Sequence, residues 1–204
     1  MSEKDEALEH LSAIKSVLVD KDSFFPYNYN ALVVWGVIGM VLTLFMAPML
    51  ENSLMVGMIF IIIMMAIGFV VEGFLTKKVN ANYDIDDCTH RQKFIMQMFL
   101  AETIFGVLMT AIFAKHGLMA LIFPLWVMLM GMGDHSLGFV LNLKIFKTTS
   151  VLKMVSASLL VAGSLFIEDL QSHDTVFFYI SQGVTFVLLG ILPIMIGRKL
   201  REEV

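Results

Sequence analysis

Only one cysteine, Cys88, occurs in the 204 residues, so no internal disulfide, redox-active thiol pair or thiolate cluster can form. Charge is scarce as well: Asp, Glu, Lys and Arg make up 16 % of the chain, against 58 % apolar residues and a mean hydropathy of +0.82. So little polarity cannot cover a water-soluble fold of this size. There is no basic block, and a formal charge of -4 leaves no electrostatic footprint for nucleic acid. From Glu3 to Asp22 the N-terminal stretch stays charged, with no basic region running straight into a short apolar one, so no cleavable signal peptide is expected. Catalytic signatures are missing too, since the sequence contains no Gly-x-Ser-x-Gly, no His-Glu-x-x-His and no glycine-rich phosphate cradle.

What the chain does have is six apolar runs long enough for a bilayer core, at 31–50, 53–75, 94–114, 117–143, 151–168 and 175–197. The expected fold class is therefore all-α: a polytopic membrane protein with six transmembrane helices as three helical hairpins. A short cytoplasmic amphipathic helix precedes them, with Leu8, Leu11, Ile14 and Leu18 on one face. Residues 1–30 form that helix and an interfacial linker, 31–197 the transmembrane domain, and 198–204 a cytoplasmic tail. Pro26, among aromatic neighbours, marks entry to the bilayer.

The basic residues give the orientation. Lys4, Lys15 and Lys21 precede the first run, and Lys77, Lys78, Arg91 and Lys93 separate the second from the third. Lys144, Lys147 and Lys153 fall between the fourth and fifth, and Arg198, Lys199 and Arg201 follow the sixth. Lys115 alone is opposite, so the positive-inside rule places both termini in the cytoplasm, in what is expected to be a bacterial inner membrane.

An ionisable residue inside a span costs about 2.5 kcal/mol or more and is expected to face protein. Glu102 lies about 12 Å inside the third run at 1.5 Å per residue, and Asp134 and His135 lie at matching depth in the fourth. Gly131, Asp134, His135, Gly138 and Asn142 share an arc of about 100° on one helix. Glu102, Asp134, His135 and Ser136 are thus expected to form one buried polar or ion site, and Gln182 with Thr185 a polar path continuing outward. A divalent metal is the candidate cofactor, held by Glu102, Asp134 and His135. The plain alternative is that these groups hydrogen-bond one another to hold the bundle together.

Other features have structural readings. Glu72 is expected to be solvated or paired with Lys77. Asp84, Asp86, Asp87, Cys88 and His90 have metal-ligand types without a calcium or zinc pattern, so a solvated loop is expected, with Asp87 capping the third helix. The seventeen Met residues suit helix packing better than copper binding. Gly36, Gly39, Gly163, Gly183, Gly190 and Gly197 allow close helix approach, within one bundle or in a homo-oligomer, and Pro124 and Pro193 are expected to bend their spans.

Ala7, Leu8, Leu11 and Ile14, then Trp35 and Gly36, then Pro124, Leu125 and Trp126 leading to Gly131, give the chain a resemblance to uncharacterised six-span bacterial inner-membrane proteins with a short N-terminal cytosolic helix. The resemblance implies that architecture and no activity. The function expected is that of a non-enzymatic regulatory, sensory or accessory membrane component, reaching a cytosolic or membrane partner through residues 5–19. The alternative is a small proton- or cation-coupled channel or carrier using Glu102, Asp134 and His135. An intramembrane metal-dependent enzyme ranks third.

Overall fold

The computed structural model describes residues 25–167 and 176–202, so the amphipathic helix expected at 5–19 lies outside the described residues. The helices are α1 (Asn30–Asn52), α2 (Leu54–Ala81), α3 (His90–Lys115), α4 (Ile122–Val140), α5 (Lys144–Ser164) and α6 (Val176–Glu202). A 3-10 turn, Met119–Leu121, leads into α4, and Phe186–Ile191 winds as a π-helix inside α6. No strand occurs among the described residues. With the turn counted into α4, all six are long and apolar enough to cross a membrane, and the chain is an all-α integral membrane protein.

Helix α4 is the pillar. Of its most apolar window 56 % is buried, against 22 % for α2 and for α3, whose outer faces carry Ile62, Val70, Phe94, Ile104 and Leu108 towards lipid. α1 packs on α2 and α6, α4 on α3, α5 and α6, and α2 touches α3, which closes a ring with α5 laid against α4. Glycines set these contacts. A Cβ on Gly36 would lie 2.6 Å from the Gly190 carbonyl oxygen, and one on Gly39 would collide with the Leu189 carbonyl, so α1 and α6 touch backbone to backbone. Gly131 and Gly138 do the same for α4 against Met154 and Phe146 of α5. Gly183 faces open space, so it takes no part in the seam made by Gly190 and Gly197.

One boundary that differs from the sequence reading bears on the interior of the bundle. α5 begins at Lys144 rather than near 151, which places Lys153, counted above with the basic residues between the fourth and fifth runs, about 14 Å into the helix. Its buried residues Phe146, Thr149, Ser150, Lys153 and Ala157 follow one helical face, so the polar side of α5 points inward and its apolar side outward. Hydropathy averaged along the chain takes such a face for a loop. Pro124 lies in the first turn of α4, where no hydrogen bond is lost, so it does not bend the span. Pro193 follows the π-helical stretch, and the irregularity of α6 lies there.

A buried amide cluster fastens the end that carries Lys77, Arg91, Lys144 and Arg198. Gln92 Nε2 donates to the Pro26 carbonyl at 2.9 Å and to Asn80 Oδ1 at 2.8 Å, while its Oε1 accepts from Asn80 Nδ2 and from the Thr89 backbone. This joins the entry linker, the end of α2 and the start of α3 at one side chain. Gly36→Val should cost about 1–3 kcal/mol through overpacking of the α1–α6 seam. Thermal unfolding of the purified protein in detergent checks this, with Gly183→Ala expected to melt as the wild type does.

Candidate functional site

The interior of the ring is not filled. A cavity with a volume of about 100 Å³ runs along the bundle, and every helix contributes to its wall. From α1 come Leu32, Trp35, Ile38, Leu42 and Met46, a face about 21 Å long at 1.5 Å per residue. α2 supplies Met65, Phe69 and Glu72, and α4 supplies Phe123, Trp126, Met130, Asp134 and Leu137, both at helical spacings that present one side. Phe99 and Thr103 of α3 and Thr185, Leu189 and Pro193 of α6 close it. α5 contributes Lys153 alone.

The charges gather towards one end. Lys153 Nζ donates to Asp134 Oδ2 at 2.7 Å, with the two side chains 4 % and 14 % exposed. The close approach at Gly131, whose added Cβ would lie 3.1 Å from Lys153 Cβ, lets the amine reach the cavity wall. Glu72 accepts a hydrogen bond from Trp35 Nε1 at 2.8 Å, and the Trp35 ring meets Phe69 edge to face at 5.3 Å. Glu72 is therefore not the solvated or Lys77-paired residue expected, because the indole holds it inward. Tyr27, just before α1, also lines the cavity. Its hydroxyl is held well above its usual range by burial and then by the charges of Glu72 and Asp134, so it stays a neutral donor and acceptor.

The expected site residues part company. Asp134 faces the cavity with Lys153, while His135 lies exposed on the α5 side, where its Nδ1 is 3.2 Å from Ser150 Oγ. The Ser150 hydroxyl also donates to the Lys147 carbonyl at 2.8 Å. Ser136 Oγ donates to its own helix at the Met132 carbonyl. Glu102 lies between α3 and α4, where a Cβ on Gly133 would be 2.8 Å from its Oε2, and that buried oxygen accepts no hydrogen bond among the described residues. It shares the level of Asp134 but does not line the cavity. Of the outward pair, Thr185 lines the cavity and donates to the Ser181 carbonyl, whereas Gln182 donates to the Thr43 carbonyl and ties α6 to α1.

No protein-family model, curated protein or solved structure matches the chain. The site therefore has to be understood from its own chemistry. Among the described residues, no group of three His, Cys, Asp or Glu side chains is placed to hold a metal ion, so Glu102, Asp134 and His135 do not make the expected ligand set. In the loop before α3, Asp87 does not cap the helix. Thr89 does, its hydroxyl accepting from the Gln92 N–H while the Gln92 side chain accepts from the Thr89 N–H, a reciprocal box written in the sequence as Thr-x-x-Gln. Asp87 pairs instead with Lys93 at 2.7 Å. Cys88 is half-buried, and burial followed by the Asp87 charge pushes its thiol up, away from the reactive thiolate.

Sequence reasoning missed Lys153 and the Glu72–Trp35 bond. The inward stripe Phe146, Thr149, Ser150, Lys153, Ala157 was the available signal for the first; the second joins residues 37 apart across a hairpin and had none.

Two outcomes follow. Lys153→Met alone leaves Asp134 buried without a partner and should destabilise the bundle by about 3 kcal/mol, while the Lys153→Met, Asp134→Leu double variant should recover most of it. A double-mutant cycle by denaturant unfolding in detergent checks the pair. The Asp87 carboxyl is held below the usual range by hydrogen bonds from Lys93 and the Cys88 backbone and by the Lys93 charge. Its contribution is present above the ordinary Asp value and is lost as pH falls through the lowered one. Asp87→Asn should therefore remove the acid sensitivity of amide exchange at residues 89–93 without shifting global melting.

Proposed function

We propose that this protein is a non-enzymatic sensory or regulatory membrane component that binds a small molecule in its central cavity. The observation that carries the reading is a cavity with an apolar wall and a few charged groups, Glu72, Asp134 and Lys153, collected towards one end. That is the composition of a ligand pocket, where apolar surface supplies affinity and few polar groups supply orientation. Inward charge in a membrane bundle is costly to retain, which supports a role beyond packing.

The site also lies beside the segment that would report its occupancy. Tyr27 lines the cavity, and its neighbour Pro26 is the residue whose carbonyl Gln92 holds. A ligand that displaces the Tyr27 ring pulls on this joint, and through it on residues 1–24. In this reading the basic end of the bundle faces the cytoplasm of a bacterial cell, and a partner reads the N-terminal segment there. The likeness to six-span inner-membrane proteins belongs to the same proposal.

One observation favours a second reading, a proton- or cation-coupled carrier. The π-helical stretch Phe186–Ile191 lies along the cavity at Leu189, between Thr185 and Pro193, and irregular turns of this kind are frequent at functional sites, while interrupted helices form the substrate sites of many carriers. In that case Asp134 keeps the role expected of it, and Glu72 and Lys153 take those expected of Glu102 and His135.

Proteoliposomes separate the two. With a pH-sensitive dye trapped inside, the sensory protein should pass no protons beyond protein-free liposomes under an imposed gradient. A proton flux that disappears in Glu72→Gln would replace the sensory reading with the carrier.

A further inference from the structure

The charges lining the cavity do not balance. Lys153 and Asp134 cancel at 2.7 Å. The remaining carboxylate there, Glu72, is held by the indole N–H of Trp35, a neutral donor, and its ionised form leaves one negative charge uncompensated inside an apolar bundle. Tyr27 is the fourth titratable side chain on the wall, and it carries no positive charge.

A metal ion is a poor fit for this vacancy in the charge balance. Such an ion asks for several oxygen ligands around it. The wall offers rings instead: Tyr27, Trp35, Phe69 and Phe99 line the cavity with Glu72. A carboxylate beside several aromatic rings is an arrangement that favours a cation whose charge is spread over methyl groups, because a ring face turned towards it attracts it and no ligand shell is required. The modest volume, about 100 Å³, suits a compact molecule.

We propose that the cavity binds a small organic ammonium ion, its cationic head between Glu72 and the surrounding aromatic rings. This rests on the reading of the cavity as a ligand site and adds the class of ligand. Lys153 holds Asp134 neutralised, so that Glu72 alone selects the charge, and the apolar wall towards Met46 and Phe123 receives the substituents.

The molecule carries its own reporter, since both of its tryptophans, Trp35 and Trp126, line the cavity. Full-length protein in nanodiscs is titrated with three probes of one shape: choline, its neutral carbon analogue 3,3-dimethylbutan-1-ol, and the anion 3,3-dimethylbutanoate. Choline should change tryptophan emission saturably, with neither other probe doing so. Glu72→Gln keeps an acceptor for Trp35 and should weaken choline by about 30-fold or more, as for loss of one member of a desolvated charge pair. Phe69→Leu should weaken it about threefold or more through the lost ring face.

Equal binding of choline and the alcohol, unchanged in Glu72→Gln, would overturn the cation assignment and leave the ligand cavity standing. Binding of the carboxylate alone would do the same and transfer the anchor to Lys153. No response to any probe also overturns the assignment. In that case, quenching by acrylamide decides the wider reading, since tryptophans closed to this small neutral molecule would mean that the cavity is sealed and takes no ligand.

Discussion

A lysine ammonium surrounded by apolar helices is costly unless it is paired, and a carboxylate within hydrogen-bond reach with enough room to get there meets that need. In this bundle Lys153 finds Asp134 at 2.7 Å, and the requirement propagates outward. It fixes the rotation of α5, whose polar face must turn towards α4. It fixes the spacing of the two helices, since the pair forms only where Gly131 and Gly138 let the backbones approach on either side of Asp134. The same geometry explains how α5, laid outside the ring, contributes a single side chain to a cavity that the other five helices enclose.

The second constraint is backbone satisfaction. In hydrocarbon every amide must bond inside its own helix, so the bundle can vary only by how helices meet and by local changes of winding. Both devices occur on the α1–α6 side. Gly36, Gly39 and Gly190 bring two backbones into contact, and within the same region Phe186–Ile191 departs from α-helical winding. The cavity lies just inside this seam. Its wall is thus pinned by an ion pair where α4 and α5 meet and by close backbone contact where α1 and α6 meet.

The architecture was legible because span length and basic-residue placement are direct consequences of bilayer thickness and charge. Six runs gave six helices, and the start of α1 and the end of α6 meet at one end, where Arg201 lies 3.4 Å from Asn30 Oδ1. Asp134 was legible too, as an acid in a glycine-rich stripe that had to face protein, and the stripe does face α5. Its partner was not. Lys153 lies among Thr149, Ser150 and Lys147, and a hydropathy sum reads those residues as a loop, although helical spacing places Thr149, Ser150 and Lys153 on one inward face. The capping box at Thr89 and Gln92 was written in the sequence but masked by the cluster of aspartates beside it. Glu72 against Trp35 could not have been read at all, since nothing in the chain records the rotation that two helices of a hairpin adopt.

Depth alone therefore did not identify the site, and the fate of Glu102 shows why. It is a buried acid at the level of Asp134, and its Oε2 finds no donor among the described residues. On oddness it outranks Glu72. An unsatisfied buried oxygen costs about 1–3 kcal/mol, and α3 packs closely on Gly133 at this point. Yet function needs access. Phe99 and the α4 backbone at Gly133 crowd Glu102, whereas Glu72 opens on a cavity with aromatic walls and a neighbouring ion pair that already disposes of the other charges. What makes a buried carboxylate a binding group is the space in front of it.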